Sequence, residues 1–330
     1  MNVEELIGWI HKWNPYCEFI TLSTIFAKMK DSKGRYNVVN HGPPGTGKSR
    51  STLELVKELD LGNDIILDNT TTAKGLFETF QEYPDSDIIL DECSSLLKDL
   101  KTQDMVKTAM EGKPLTWTKN GESETTEPYK GNMIINANVV ISDTVIDRCL
   151  VNKALMNKEM SLDFNQMYIE EYKEKTDFKP FTAYLKKVLN NNAEIGLDSK
   201  EISYVLNFVQ DKIKELEQND GFSRRIIIRE LSYFQHAKKL FGKLDKTVLN
   251  FIQPFAESYI VNAQTPNLIE SIIGNGTIEK ATLVKRVARE GGWTEQHVRK
   301  IINKKILEGE LNLKGKLIKQ TMRPKKNGKM

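Results

Sequence analysis

The sequence predicts an α/β fold in which a parallel β-sheet lies between layers of helices, followed by an all-helical region and a small basic domain. Three observations predict it. Short apolar runs alternate with helical stretches between residues 36 and 160, which is typical of parallel sheets covered by helices on both faces. From residue 161 to 263 the apolar positions recur only at helical spacing. From residue 264 the net charge changes sign.

The predicted strands are short and apolar, and helices fit between most of them. The strands are Tyr36–Asn40, Asp64–Asp68, Asp87–Asp91, Asn132–Asn138 and about Cys149–Leu155. The helical region contains five predicted helices, which are Leu162–Lys175, Pro180–Asn190, Lys200–Glu217, Arg224–Leu240 and Thr247–Val261. An N-terminal segment, residues 1–35, also has helical character, and we expect its aromatic side chains to pack inside the protein.

The composition is that of a globular protein, with 39% hydrophobic and 28% charged residues among 330. This length predicts two or three domains. No apolar run reaches the roughly 18 residues that a membrane-spanning helix needs, and the N-terminus lacks the basic start of a secretory signal. The three cysteines have neither metal-site spacing nor a disulfide framework. We therefore expect a cytoplasmic or nucleoid-associated protein without a membrane partner.

A glycine-rich segment after the first predicted strand fits the pattern G-x-x-x-x-G-K-[ST] of phosphate-binding loops. Glycines allow backbone N–H groups to curl around phosphates, and the N-terminus of the following helix adds its positive end. Lys48 would reach the β- and γ-phosphates of ATP, and Ser49 would bind Mg²⁺. A glycine-rich turn with a chance Lys-Ser is the alternative, and the strand before it and the helix after it argue against that. The predicted nucleotide-binding residues are Gly42, Pro43, Pro44, Gly45, Thr46, Gly47, Lys48, Ser49 and Arg50.

Two carboxylates, Asp91 and Glu92, end another apolar strand about 40 residues after this loop. Asp91 would hold the Mg²⁺ shell, and Glu92 would orient or deprotonate the attacking water. The alternative is a pair of acids that only solvates the end of a strand. The strand–helix unit between the loop and the pair favours the catalytic interpretation.

Amide and guanidinium groups complete the predicted site. Asn138 ends a buried strand and would place its amide beside the water and the γ-phosphate, with Asn136 as the competing candidate. Arg148, just before the last strand, could reach the γ-phosphate of a neighbouring subunit and stabilise transition-state charge. Arg224 or Arg225, at the start of a helix, could contact ATP from the side of the helical region. A surface residue at a helix end is the alternative for each arginine.

In this order the motifs resemble those of AAA+ ATPases, over about residues 36–262. The phosphate loop, Asp91–Glu92 and Asn138 match the Walker A, Walker B and sensor 1 positions, Arg148 matches the arginine finger, and Arg224/Arg225 match sensor 2. The resemblance implies a P-loop AAA+ core at 36–160 and an all-α lid at 161–263. It also implies ATP and Mg²⁺ as cofactors and a homo-oligomeric ring, with a hexamer as the expected size.

Between Glu92 and Asn138 the sequence inserts a helix, Gln103–Glu111, and a predicted β-hairpin. Leu115–Thr118 is strand-like, and Asn120-Gly121 is a strong hairpin turn signal. A hairpin at this place resembles that of minichromosome-maintenance and superfamily 3 helicases, where it grips DNA in a central channel. The resemblance implies DNA contacts by Lys119 and Asn120 at the tip. The alternative is a solvent-exposed hairpin that does not touch DNA.

Residues 264–330 carry 15 lysines and arginines against 6 acidic residues, a net charge of +9, whereas residues 1–263 carry 33 against 39, a net charge of −6. A basic charge confined to one segment indicates a polyanionic partner. Three predicted helices and a two-stranded hairpin resemble a winged-helix domain at 264–320, ahead of a basic tail at 321–330. A solvated basic tail or a protein-docking module is the alternative. The residues expected on DNA are Gln296, Lys300, Asn303 and Lys304 of the third helix and Lys314 and Lys316 of the hairpin.

Together these features favour an ATP-dependent motor on single- or double-stranded DNA, of the replicative-helicase or replication-initiator type. Two other classes stay open. An ATP-dependent DNA-binding switch or helicase loader would not translocate, and it has less use for a hairpin in a channel. A protein-remodelling AAA+ ATPase would be stimulated by polypeptide and not by DNA.

Overall fold

The computed structural model divides the chain into two compact units, Met1–Ala263 and Gln264–Met330. In the first unit it describes residues 1–29, 36–42, 45–62, 64–93, 96–119, 121–138, 145, 148–153, 176–191, 193, 195–215 and 224–262. In the second it describes residues 273, 277–291, 295, 298–299, 302–303, 306 and 311–320. The predicted helix Leu162–Lys175 lies outside these ranges.

Five parallel strands form the central sheet of the first unit. The strands described in this unit are β1 (Val38–His41), β2 (Asp64–Leu67), β3 (Asp87–Asp91), β4 (Thr116–Lys119), β5 (Glu122–Thr125), β6 (Met133–Ala137) and β7 (Leu150–Lys153). The sheet has the order β2-β3-β6-β1-β7, while β4 and β5 pair with each other as an antiparallel hairpin. The predicted α/β class with a parallel sheet is confirmed.

Helices cover both faces of this sheet. Those described are α1 (Val3–Trp13), α2 (Glu18–Ala27), α3 (Leu55–Leu59), α4 (Ala73–Glu82), α5 (Leu100–Met110), α6 (Lys179–Leu189), α7 (Ser199–Glu215), α8 (Arg224–Phe241) and α9 (Lys246–Asn262). A π-helical turn, Arg50–Glu54, leads into α3. Polar side chains fix several starts: the Asn2 amide accepts from the Glu5 N–H at 2.8 Å, and Asp99 accepts from the Thr102 N–H at 3.0 Å.

The two faces of the sheet have separate hydrophobic cores. One core joins α1, α2 and α6 to α9 with the sheet, and it includes Leu6, Phe26, Val38, Phe181 and Tyr233. The other joins α4, α5 and the sheet, and it includes Phe77, Phe80, Ile88, Val106 and Ile135. The N-terminal aromatic residues pack as expected, because the Trp13 and Phe178 rings lie 4.9 Å apart in an edge arrangement. The N-terminal helices and the later helices thus share one core with the sheet.

The second unit contains a small antiparallel sheet and a helix. These elements are β8 (Thr277–Glu279), α10 (Lys280–Gly291), β9 (Leu311–Lys314) and β10 (Leu317–Gln320), and the sheet order is β8-β10-β9. Leu283, Val284 and Val287 of α10 are buried in a core with Ile302 and Ile318. Strand β8 does not stand out in the sequence, because its three residues gain their pairing from β10, far along the chain.

Candidate functional site

The predicted phosphate loop follows β1 and curves through two glycines with left-handed backbone. Gly45 has φ 79° and Gly47 has φ 74°, conformations that favour glycine. A Cβ atom on Gly47 would also lie 2.7 Å from Nδ2 of Asn14. Pro43 and Pro44 lie outside the described residues. The local sequence therefore specifies both the turn and the close approach of another segment.

Lys48 is buried, and its own loop encloses its amine. Its Nζ donates to the Gly42 carbonyl at 2.8 Å and to Oγ1 of Thr46 at 3.1 Å. Burial lowers the pKa of Lys48, against the raising effect of the nearby carboxylates of Asp91 and Glu92. The ammonium group thus lies inside the curl of the loop, where a bound phosphate would supply a stronger counter-charge.

Ser49 and Asp91 meet at the carboxyl edge of the sheet. The Ser49 hydroxyl lies 3.0 Å from Oδ1 and 3.2 Å from Oδ2 of Asp91. Hydroxyl and carboxylate oxygens are hard ligands that fit Mg²⁺, which usually binds one or two such groups together with phosphate and water. In the part of the chain that the structure describes, no group of three or more His, Cys, Asp or Glu side chains is arranged to hold a metal ion.

Glu92, next to Asp91, has a strained backbone and an exposed side chain. Its φ is 54°, in the left-handed region that non-glycine residues rarely adopt. Its N–H donates to the Asn136 carbonyl at 3.2 Å, which holds this conformation at the end of β3. Such strain concentrates at functional sites, because only surrounding structure can maintain it. Arg50, at the other side of the loop, is half-buried with its Nε 3.8 Å from Glu54.

The two candidate asparagines of β6 differ in their partners. Asn136 is buried, and its Nδ2 donates to Oδ1 of Asp91 at 2.7 Å. Asn138, directly after the strand, has a buried amide oxygen that finds no hydrogen-bond partner among the described residues. Asn136 is therefore committed to Asp91, whereas the oxygen of Asn138 has capacity for a ligand or a water molecule.

Arg148 forms a charge pair within its own chain. Its Nε donates to Oε1 of Glu111 at 2.8 Å, and its Nη2 contacts the same oxygen. Hydrogen bonds from Lys113 and Arg148 lower the pKa of Glu111 to about 2. The Arg148 side chain is 13% exposed, so this pair holds it close to the end of α5.

The arginines of α8 are placed differently from one another. Arg225 is exposed at the start of the helix, and the side chain of Arg224 lies outside the described part. Arg229, one turn on, donates from Nη1 to the Cys149 carbonyl at 2.5 Å. Helix α8 is thus attached to the backbone just before β7, next to Arg148.

The turn between α1 and α2 contacts the phosphate loop, which sequence reasoning missed. Asn14 donates to the Gly47 carbonyl at 3.1 Å and contacts the Ser51 hydroxyl. The Cys17 thiol donates to the Thr46 carbonyl at 3.1 Å, and burial raises the pKa of this thiol to about 12, so that it stays protonated. No local motif signals these contacts, because they join segments about 30 residues apart in sequence.

The predicted hairpin is present as β4 and β5, and its second strand is acidic. Lys119 pairs in register with Glu122 across β4 and β5. Glu122 and Glu124 are exposed, as is every residue of β5. The Lys119 side chain and all of Asn120 lie outside the described part. Acidic side chains beside the tip weaken the attraction of the hairpin for phosphates.

In the second unit, three of the predicted DNA-contacting residues are described. Lys314 and Lys316 are exposed at the turn between β9 and β10. Asn303 is also exposed, and its Oδ1 accepts a hydrogen bond from Nζ of Lys280 at 2.6 Å. Gln296, Lys300 and Lys304 lie outside the described residues.

Comparisons with known proteins found no match that bears on this site. No protein-family model matches the sequence, and no curated protein is significantly similar to it. Among the helices that the structure describes, none combines the length and the apolar character that crossing a lipid bilayer requires.

Proposed function

We propose that the chain is an AAA+ ATPase that binds ATP and Mg²⁺ and acts on DNA in the cytoplasm or on the nucleoid. The observation that carries the proposal is the Ser49 hydroxyl 3.0 Å from Asp91, beside a lysine enclosed by a glycine-rich loop. All three residues lie at the carboxyl edge of a parallel sheet, where ligands of open α/β folds bind. The core would span residues 36–160, with α6 to α9 as its lid.

Each polar residue of the site has a role in this proposal. Lys48 would bind the β- and γ-phosphates in place of its present contacts with Gly42 and Thr46. Glu92 would orient the attacking water and take its proton, and Asn138 would hold that water through its open amide oxygen. Mg²⁺ held by Ser49 and Asp91 would neutralise charge on the phosphates.

A ring, with a hexamer as its expected size, follows from the role assigned to Arg148. To reach the γ-phosphate of a neighbouring subunit, Arg148 must exchange Glu111 for phosphate. The pair is only partly enclosed, with 13% and 19% of the two side chains exposed, so a phosphate of higher charge can compete for the guanidinium group. Arg224 or Arg225 would contact ATP from the lid side.

DNA binding is proposed for the second unit, in which α10 and the β8-β10-β9 sheet support a winged-helix interpretation. Lys314 and Lys316 are exposed on the turn that would be the wing. The net charge of +9 over residues 264–330 is of the sign that attracts phosphate backbones.

Deletion of residues 264–330 is expected to weaken DNA binding and flatten its salt dependence. An unaltered salt slope would assign DNA binding to another part of the protein.

A second candidate function is an ATP-dependent DNA-binding switch that does not translocate. The exposed Glu122 and Glu124 beside Lys119 favour it, because they repel phosphates from the hairpin. Strand displacement on a forked duplex distinguishes the two functions, and Lys119→Ala tests whether the hairpin contributes to it. A motor would keep its basal ATPase activity and lose strand displacement on a forked duplex, whereas a switch would show no strand displacement even as wild type.

The experiment that tests the proposal measures ATP hydrolysis without DNA, with single- and double-stranded DNA, and with unfolded polypeptide. The mass of the protein in ATP is measured in parallel. We expect Mg²⁺-dependent hydrolysis, stimulation by DNA, and a ring mass in ATP. Lys48→Ala is the control, and it should lose nucleotide binding. Stimulation by polypeptide alone would favour a protein-remodelling ATPase, and no hydrolysis under any condition would overturn the proposal.

A further inference from the structure

Four neighbouring strands each carry a polar side chain at the same position of the sheet, so that these side chains form a row across the strands. The row includes Asn40, two residues before the predicted phosphate loop begins at Gly42. Asp91 of β3 is paired in register with Asn136 of β6, Asn136 with Asn40 of β1, and Asn40 with Asn152 of β7. Residues paired in this way point to the same face of the sheet. The three asparagines are each at most 1% exposed. A buried row of amides is costly unless its members bond to one another.

The four side chains form a continuous chain of hydrogen bonds. Asn136 donates from Nδ2 to Oδ1 of Asp91 at 2.7 Å. Asn40 donates to Oδ1 of Asn136 at 2.8 Å, and Asn152 donates to Oδ1 of Asn40 at 2.6 Å. Asn152 also donates to the Ser23 hydroxyl of α2 at 2.6 Å. The chain thus runs from the predicted metal ligand across the sheet to a helix.

The direction of this chain is fixed at the Asp91 end. An ionised carboxylate only accepts hydrogen bonds, so Asn136 must turn its amino group towards Asp91 and its carbonyl towards Asn40. The same requirement then orients Asn40 and Asn152 in turn. At the far end, the amide oxygen of Asn152 is buried without a hydrogen-bond partner among the described residues. Because every amide in the series turns its amino group towards Asp91, the last carbonyl oxygen, that of Asn152, is left without a donor from the series.

We propose that Asn136, Asn40 and Asn152 are positioning residues that hold Asp91 in the orientation needed for Mg²⁺ binding. The inference rests on the proposed ATPase function, since it assigns Asp91 to the metal. Asn136 occupies Oδ1 of Asp91 and so fixes the carboxylate plane against Ser49. Hydrogen-bonding partners behind a metal ligand commonly contribute 10–100-fold to metal affinity. Thr52 supports the row from above, with its hydroxyl 3.3 Å from Oδ1 of Asn136.

The test measures Mn²⁺ binding to the full chain by electron paramagnetic resonance with ADP present. The affinity for a fluorescent ADP analogue in EDTA is measured in parallel. Asn136→Leu removes the donor to Asp91 at similar volume, and we expect roughly 10-fold weaker Mn²⁺ binding with unchanged metal-free ADP affinity. Asn37→Leu is the matched control, because Asn37 is a buried asparagine beside β1 whose amide oxygen accepts from the Met133 N–H at 2.9 Å, outside the row.

A second variant tests the direction of the chain. Asn40→Asp lies outside contact with Asp91 and replaces the donor to Asn136 by an acceptor. Asn136 must then turn its amino group towards residue 40 and its carbonyl towards Asp91. We expect Mn²⁺ affinity to fall by several-fold in this variant too. Asn136→Ser replaces Asn136→Leu if the latter does not fold in a thermal melt.

The outcomes separate the two proposals. Wild-type protein without any nucleotide-dependent Mn²⁺ binding would overturn the ATPase proposal, and the positioning role with it. Wild-type binding with unchanged Mn²⁺ affinity in the folded Asn136 and Asn40 variants would overturn the positioning role alone. An equal loss in Asn37→Leu would also overturn it, because the effect would then be a general consequence of disturbing β1.

Discussion

The two edges of the central sheet both carry buried polar side chains, but they are completed in different ways. At the amino edge, Lys28 bridges the carboxylates of Asp64 and Asp87, which begin β2 and β3. Asn132 joins them there, since its N–H donates to Asp87 at 2.8 Å and its side chain bonds to the Ala27 carbonyl and the Tyr36 N–H. Every charge named here has an opposite charge or a hydrogen-bond partner.

At the carboxyl edge, some buried polar side chains have hydrogen-bond acceptors that are not used. Buried amide oxygens of Asn14 and Asn138 have no hydrogen-bond partner among the described residues, and Glu92 holds a strained backbone. Unmet hydrogen bonds and strain cost free energy, so they indicate a place where a ligand completes the arrangement. The amino edge therefore stabilises the sheet through its paired charges, whereas the carboxyl edge holds the residues of the proposed nucleotide site. Variants at the two edges should therefore differ in kind.

The largest effect is expected at the carboxyl edge. Glu92→Gln keeps the size of the side chain and removes the base, so ATP should still bind while turnover falls by at least about 100-fold. Binding and single-turnover hydrolysis measured on the same protein separate the two steps. Glu58→Gln, an exposed acid on α3, is the control and should leave turnover unchanged. Normal turnover in Glu92→Gln would remove this residue from the chemistry.

At the amino edge we expect a loss of stability without a loss of chemistry. Lys28→Met leaves two carboxylates without their shared cation, and the free energy of unfolding should fall by roughly 4 kcal/mol. Urea unfolding measures this loss, while ATP turnover per folded molecule should stay at the wild-type value. The double variant with Asp64→Asn has one fewer unpaired carboxylate, so part of the stability should be restored. A turnover defect that exceeds the unfolded fraction would contradict the division between the edges.

Local sequence could predict the strands of the central sheet, the glycine-rich turn after β1 and the acids at the end of β3, because each is encoded within a few neighbouring residues. It could not predict that β6 lies between β1 and β3, since strand order depends on contacts between distant segments. The row of Asn136, Asn40 and Asn152 depends on that order and on register. The contacts of Asn14 and Cys17 with the loop are equally non-local.

The smallest effect is expected from an acid that lies at neither edge. Glu230 of α8 is 1% exposed, and Oε2 has no hydrogen-bond partner in the described part of the chain. Burial raises its pKa from 4.5 to about 8, although the nearby Arg229 lowers it. As pH rises the unfolded chain ionises first, so stability is fully present below about pH 4.5 and is lost as pH rises towards 8.

Glu230→Gln removes this titration, so the variant should gain stability relative to the wild type as pH increases. The difference between pH 5 and pH 8 should be roughly 3 kcal/mol, measured as the free energy of unfolding in urea. Glu58→Gln again serves as the control, because an exposed carboxylate loses little hydration on folding. A parallel pH dependence in Glu230→Gln and wild type would mean that Glu230 is ionised in the folded protein. Arg229 would then be its counter-ion, and this part of α8 would resemble the amino edge, where a buried cation faces carboxylates.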